Sequence, residues 1–106
     1  MKLLTKAIIA KLPALYATEK TPIEQKVCIV KFFTPWQGWT WYAVEGEPIG
    51  ENGSVTDFTF FGRVDGHESE WGYFSLSSLG AVRGKFGLKI ERDLHFGPQL
   101  LPAAPL

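Results

Sequence analysis

Hydrophobic and aromatic residues are concentrated between Val27 and Val44, in the stretch VCIVKFFTPWQGWTWYAV. Two runs rich in β-branched and aromatic residues, 27–33 and 39–44, flank a break that contains Pro35 and Gly38. Such runs fit the pleated, half-buried surface of a strand, and the break supplies turn residues, so the pattern predicts a β-hairpin. Because a hairpin alone is not stable in water, we expect the rest of the chain to add strands and to cover at least one face.

The pattern after this hairpin predicts a meander. Residues 46–54, GEPIGENGS, have the composition of a Gly-rich loop, and residues 56–64 alternate aromatic and polar side chains as a third strand does. A tight turn at 65–66, Asp-Gly, precedes a fourth apolar run at 71–74. Consecutive antiparallel strands of this kind form a meander.

Two short helices are predicted beside the sheet. Thr5 is a suitable N-cap for a helix that Pro13 ends, because the residue before a proline is disfavoured in the helical region. Ser75 is a suitable N-cap for a second helix, which has apolar residues on one side and a glycine stop at Gly84. That apolar side consists of Leu76, Leu79 and Val82.

The C-terminal part is expected to add an edge strand and an extended tail. Residues 90–96 alternate as a strand does, although Arg92 falls on the apolar side, where a guanidinium needs a carboxylate. Residues 97–106 contain three prolines and are predicted to run extended over the sheet. We therefore predict one α+β domain over residues 1–106, a mostly antiparallel sheet of four to five strands with an N-terminal helix and a short helix after the fourth strand.

Composition favours a globular, reduced protein. The chain is 45% hydrophobic and has a single cysteine, Cys28, which lies within an apolar run and is expected to pack rather than react. Lys6 and Lys11 interrupt the N-terminal apolar stretch, which is thereby too short for a signal peptide or a membrane span. We therefore expect a cytoplasmic protein that does not bind a membrane.

The net charge of zero hides an acidic middle segment. Residues 34–80 carry seven carboxylates and one cation, Arg63, whereas the flanking segments are basic. Two interpretations stay open: solvated loops and strand edges, or a surface that attracts a basic partner.

No catalytic, metal or cofactor site is expected. Cys28 lies in an apolar run, and Ser75 is explained as a helix cap without the surroundings of a nucleophilic serine. The candidate metal ligands lack the spacing of a zinc motif; they are His67, Glu68, Glu70 and His95. The Gly-rich loop carries carboxylates, which repel phosphate.

Several motifs occur in an order and spacing typical of one family: LLTK (3–6), KLPALYATE (11–19), KFFTP (31–35), WTWY (39–42), FFG (60–62), GYFSL (72–76) and IERDLHF (90–96). On these motifs the chain resembles the bacterial family catalogued as domain of unknown function 2958. The resemblance implies a small cytoplasmic protein often encoded on plasmids and integrative elements, and it implies no activity and no catalytic residues. The chain departs from the usual pattern at Trp36, at Gly38 and in the Gly-rich loop.

We therefore predict a non-enzymatic accessory protein of mobile elements that binds another protein, with an anti-defence role as a more specific form of the hypothesis. The expected partner-binding residues combine at least partly exposed aromatics with carboxylates: Trp36, Trp39, Glu45, Glu47 and Glu51. For Trp36 an alternative stays open, in which its ring folds back as a lid on the sheet. The alternative is a single-stranded nucleic-acid binder in which the tryptophans stack on bases, with Lys31 nearby as a cation. A third hypothesis is a hydrolase whose site has no recognisable motif.

Overall fold

The computed structural model describes residues 2–104 and contains a five-stranded antiparallel sheet with the order β5-β4-β3-β2-β6. A further two-stranded pair joins β1 to β7. The predicted α+β class is confirmed, as are the N-terminal helix and the helix after the strand predicted as the fourth. The elements are α1 (Lys6–Lys11), β1 (Val27–Cys28), β2 (Val30–Phe33), β3 (Thr40–Glu51), β4 (Ser54–Asp65), β5 (Ser69–Ser75), α2 (Leu76–Ala81), β6 (Glu91–Arg92) and β7 (Gln99–Leu100), with 3₁₀ turns at Ile23–Gln25 and Lys85–Gly87.

Both helices begin at the residues expected from the sequence. The Thr5 hydroxyl accepts a hydrogen bond from the Ile8 N–H at 3.2 Å, which satisfies one of the free donors at the start of α1. Ser75 caps α2 in the same way and forms a capping box with Ser78.

The segment predicted as a Gly-rich loop, residues 46–54, is instead the end of a long hairpin. Strands β3 and β4 continue through it, and the chain reverses at Asn52 and Gly53, whose φ angles are 52° and 80°. Two consecutive positive φ angles are the signature of the tight hairpin turn that Asn-Gly pairs favour. The loop prediction was wrong because the Asn-Gly pair determines this turn, whereas the surrounding glycines are tolerated within the strands.

A β-bulge at Val44 decides which face of the sheet receives the next residues of β3. Ala43 pairs with Gly62, but the following pair is Glu45 with Phe61, so Val44 is an extra residue without a partner in β4. Regular alternation would have turned Glu45 towards the apolar core. The bulge turns it to the opposite face.

The core lies between the sheet and the two helices. Phe32 and Phe60 are fully buried at its centre, with ring centroids 5.5 Å apart. Leu4 and Leu79 bring the N-terminal segment and α2 onto this face of the sheet. The other buried members of the cluster are Val30, Ala43, Phe58 and Ile90.

The other side of the sheet, which carries Tyr42, Phe61 and Tyr73, is here called the open face. The C-terminal tail crosses part of it: β7 pairs with β1, and the Arg63 guanidinium donates to the carbonyl of Pro102 at 2.8 Å. Of the strand expected at 90–96, residues 91–92 pair with β2. The tail prediction also covered Pro105 and Leu106, which lie outside the described residues.

Candidate binding site on the open face of the sheet

The two tryptophans predicted to bind a partner are half-buried against glycines. Trp36 packs against the core, and its ring lies over Gly84. Trp39 covers Gly66 in the same manner, and its ring centroid lies 5.4 Å from that of His67. Both rings thus make contacts within the chain while they stay partly exposed, and their role in binding a partner stays a prediction.

Glu45 is not part of an acidic surface, because the structure buries it at 3% exposure. Its carboxylate accepts hydrogen bonds from the N–H groups of Tyr16 at 2.8 Å and Thr18 at 3.0 Å, and also from the Thr18 hydroxyl. The carboxylate thus anchors residues 14–20 to the sheet. The prediction that Glu45 contacts a partner is corrected, since a side chain that is buried and hydrogen-bonded in this way does not present its charge to solvent.

The remaining predicted carboxylates lie apart from the tryptophans. Glu47 is exposed and accepts a hydrogen bond from the Leu15 N–H at 3.1 Å. Glu51 is exposed at the far end of β3, and the eleven residue steps from Thr40 correspond to about 36 Å of strand. The five residues predicted from the sequence therefore do not form one surface.

Other carboxylates of the acidic middle segment are also bonded within the chain. Asp65 forms a two-pronged ion pair with Arg63, with distances of 2.9 and 3.0 Å. Asp57 accepts hydrogen bonds from the hydroxyl and the N–H of Ser77 and from the N–H of Phe58. Of these bonds, the one from the Ser77 hydroxyl contributes most to lowering the pKa of Asp57. Four of the seven carboxylates of the segment, those of Glu45, Glu47, Asp57 and Asp65, thus accept hydrogen bonds within the chain.

The sequence analysis missed a different group of aromatic residues on the open face. Phe61 of β4 lies opposite Tyr73 of β5, with ring centroids 5.1 Å apart, and Trp71 lies 5.8 Å from Phe61. Tyr16 extends the group, since its ring lies 6.4 Å from that of Tyr73. We call these four residues the aromatic stripe.

Two of the four rings in the stripe are well exposed. The exposed fraction is 64% for Tyr16 and 56% for Tyr73, whereas Phe61 and Trp71 are half-buried. Contiguous exposed aromatics differ from the scattered apolar residues that any soluble protein shows. The stripe is therefore the strongest candidate for a binding surface.

The backbone at Tyr16 is strained in a way that places its ring over the sheet. Its φ angle is 70°, in the left-handed region that bulky residues rarely adopt. The hydrogen bond from the Tyr16 N–H to Glu45 holds this conformation. Backbone outliers of this kind cost about 1–3 kcal/mol and are concentrated at functional sites.

A cavity of about 400 Å³ opens beside the stripe. Lys26, one of its lining residues, is 6% exposed, and its ammonium donates to the carbonyl and the hydroxyl of Thr18. The residues that line the cavity are Tyr16, Glu19, Lys26, Glu45, Phe61 and Tyr73. Aromatic walls with a few polar groups are typical of a ligand site.

A second cavity, of about 370 Å³, lies at the β2–β6 edge and is more polar. Lys31 and Asp93 line it and form an ion pair at 3.8 Å with each other. Two of its charged groups are therefore already paired with each other, whereas the rings of Tyr16 and Tyr73 are exposed to solvent.

The groups considered earlier for catalysis or metal binding are dispersed. Within residues 2–104 no three histidine, cysteine or acidic side chains are grouped as metal ligands. Cys28 is fully buried, and this desolvation raises the pKa of its thiol to about 12.

The sequence matches the family model described as "Protein of unknown function (DUF2958)" over residues 3–102. The chain belongs to this family. The match to DUF2958 begins one residue before Leu4 of the core and ends at Pro102, whose carbonyl accepts the hydrogen bond from Arg63. It therefore includes every strand and helix of the described residues. No curated protein and no solved structure matches the chain. Among the described residues, no helix has the length and apolar character needed to cross a membrane.

Proposed function

We propose that the protein is a non-enzymatic binding module that recognises an extended segment of another protein along β5 and the aromatic stripe. The observation that carries the proposal is the exposed stripe beside the outermost strand of the sheet. The proposal retains the setting that the family resemblance implies, a cytoplasmic accessory protein of bacterial mobile elements, with an anti-defence role as its more specific form.

The stripe has the chemistry of an interaction hot spot. Tyrosine and tryptophan are enriched at such sites because they bury a large area with few rotatable bonds and keep a polar tip. Tyr73 and Trp71 alternate along β5 and point to the same face, where Phe61 supports both rings from the neighbouring strand.

The edge of β5 supports the recognition of an extended segment. Among the described residues, β5 has β4 as its single neighbour in the sheet, and the pairing runs over residues 69–75 without a register shift. Exposed edges are usually protected by proline, charged side chains, bulges or short length. The sequence SEWGYFS has no proline and a single charged side chain, Glu70, so this edge suits the addition of a partner strand.

The local charge favours a protein over a nucleic acid. The cavity beside the stripe contains Glu19 and Glu45, while Lys26 is buried and already bonded to Thr18. Binding to single strands requires exposed cations along the path of the phosphates in addition to stacking rings.

Capture of proteins from a bacterial lysate with matched variants tests the proposal. Tyr73→Ala should abolish capture of the specific protein that the natural chain retains, at an unchanged melting temperature, because Tyr73 is exposed. Phe86→Ala is the control, since Phe86 is a fully exposed but isolated aromatic residue. In the captured complex, backbone amides of residues 69–75 should become protected from hydrogen exchange.

Three results would count against the proposal. Equal capture by the natural chain and Tyr73→Ala would exclude the stripe. Loss of capture in Trp36→Ala at a temperature at which this variant stays folded, with capture retained in Tyr73→Ala, would return the binding surface to the hairpin end predicted from the sequence. Tryptophan quenching by a single-stranded oligonucleotide that fades with salt and requires Tyr73 would identify a nucleic-acid binder.

A further inference from the structure

We propose that the cavity beside the aromatic stripe accepts a cationic side chain, lysine or arginine, from the bound protein segment. This inference rests on the proposed function and adds the chemistry of the residue that is recognised. The cation would lie in the cavity against the exposed rings of Tyr16 and Tyr73, with the carboxylates of Glu19 and Glu45 in the same lining.

The rings form walls at different angles around one space. The Tyr16 and Tyr73 rings are tilted by 58°, and the Phe61 and Tyr73 rings by 55°. Tilted pairs at these separations contact each other, and all three rings also line the cavity. An ammonium or guanidinium group over the face of an aromatic ring is attracted by the ring quadrupole, and several such rings form an aromatic cage.

The charges that line the cavity complement a cation. Glu19 is exposed and lines the cavity. Glu45 is shielded from bulk solvent but also lines the cavity, so its negative charge acts there as well. The opposing charge is Lys26, whose ammonium donates to Thr18, and the Thr18 hydroxyl in turn donates to Glu45. With two carboxylates and one ammonium, the lining has a net charge of −1.

The state of Tyr73 agrees with this polarity. The pKa of its hydroxyl is raised, first by hydrogen bonding with the Tyr16 side chain, then by desolvation and the charge of Tyr16, and last by the charges of Glu45 and Glu19. The same negative charges that disfavour a tyrosinate favour a cationic guest.

Packing of the Tyr16 ring does not explain why a bulky residue is found at this strained backbone position. A glycine at position 16 would adopt the observed φ of 70° without cost, yet the position carries a large ring that is 64% exposed. The ring therefore adds little buried area to offset the strain. What it provides is a wall of the cavity.

Titration with amino-acid derivatives whose amino and carboxyl termini are blocked, so that only the side chain can carry a charge, tests the inference on the full chain. We would follow the aromatic ring protons by NMR while adding N-acetyl-arginine methylamide or N-acetyl-lysine methylamide. N-acetyl-citrulline methylamide is the matched neutral probe, and N-acetyl-glutamate methylamide is the anionic one. Both cationic probes should shift the Tyr73 and Phe61 ring signals saturably, and the shifts should diminish with added salt.

Variants separate recognition from folding. Tyr73→Leu should weaken binding of the arginine probe by about two- to fivefold, and Tyr73→Phe should retain it because the π face remains. Tyr16→Gly should weaken binding while leaving the melting temperature unchanged or higher, since it relieves the left-handed backbone strain. A loss of stability in Tyr16→Gly with unchanged binding would overturn the role given to this ring.

The outcomes also distinguish this inference from the proposed function. If citrulline binds as tightly as arginine, or if glutamate binds more tightly than both, the cavity does not select a cation. If that happens while protein capture still depends on Tyr73, the cation inference alone fails. If capture does not depend on Tyr73, the proposed function fails, and the inference fails with it.

Discussion

The Trp36 ring lies so close to Gly84 that a Cβ atom at position 84 would be 2.3 Å from ring atom Cδ2. This contact joins the loop between β2 and β3 to the segment after α2. Trp36 also packs against the residues of the core. The ring thus covers the core and the backbone at Gly84.

We therefore expect Trp36→Ala to destabilise the protein. Truncation of a fully buried large aromatic costs about 3–5 kcal/mol, and a half-buried ring should cost roughly 2 kcal/mol. Urea denaturation followed through the remaining tryptophans measures this change. An unchanged denaturation midpoint would restore Trp36 to the surface predicted from the sequence.

Two glycine substitutions test the same contact with opposite signs. Gly84→Ala should destabilise by about 1–3 kcal/mol, because the new methyl group must displace the Trp36 ring. Gly80 lies in α2, and a Cβ there meets nothing within 4 Å, so Gly80→Ala should stabilise by about 0.5–1 kcal/mol. The difference between the two melting temperatures is the measurement, and two shifts of equal sign would contradict the packing.

Glu45 offers a third test, because its carboxylate fixes the segment that carries Tyr16. Glu45→Gln preserves the shape but replaces one acceptor oxygen by a donor, which then faces the N–H groups of Tyr16 or Thr18. We expect a loss of about 1–3 kcal/mol in unfolding free energy together with faster hydrogen exchange at those two amides. Glu51→Gln, at an exposed position, is the control and should leave both quantities unchanged. Unchanged exchange at Tyr16 in Glu45→Gln would show that the segment is held by other contacts.

Local patterns predicted the class of fold, but they did not predict the candidate site. Alternation identified the strands around Phe32 and Phe60, and capping residues identified both helices, because these signals act over a few residues. The aromatic stripe depends on the register that pairs Phe61 with Tyr73 and on a bend that returns Tyr16 to the sheet. No periodicity within one segment encodes contacts between segments so far apart in the chain.

Glu45 is a clearer example of an environment that local sequence patterns do not predict. Strict alternation would have directed it towards the core, and composition suggested a solvated acidic surface, yet one bulge residue at Val44 places it on the open face. There it is buried by the segment it holds. Bulges shift every following side chain to the other face, so one unrecognised bulge changes the predicted environment of the rest of a strand.

The pH dependence of stability tests the burial of Cys28. Burial raises the pKa of its thiol from 9.0 to about 12, and the thiol is also close to the Val30 carbonyl, with Sγ 3.3 Å from the oxygen. Between these two values the unfolded chain releases the proton while the folded chain keeps it. Raising the pH through this window therefore favours unfolding, with a slope that approaches about 1.4 kcal/mol per pH unit.

The variant Cys28→Ala isolates this contribution from the other groups that titrate in alkaline solution. At pH 8 the natural chain should be the more stable of the two, because the variant leaves a small cavity at a fully buried position. As the pH rises towards 11 the advantage should shrink, since only the natural chain carries the titrating thiol. Urea denaturation of both proteins across this range gives the difference directly. A difference that stays constant with pH, or rapid reaction of the folded protein with a thiol reagent at neutral pH, would show that Cys28 is accessible in the folded state.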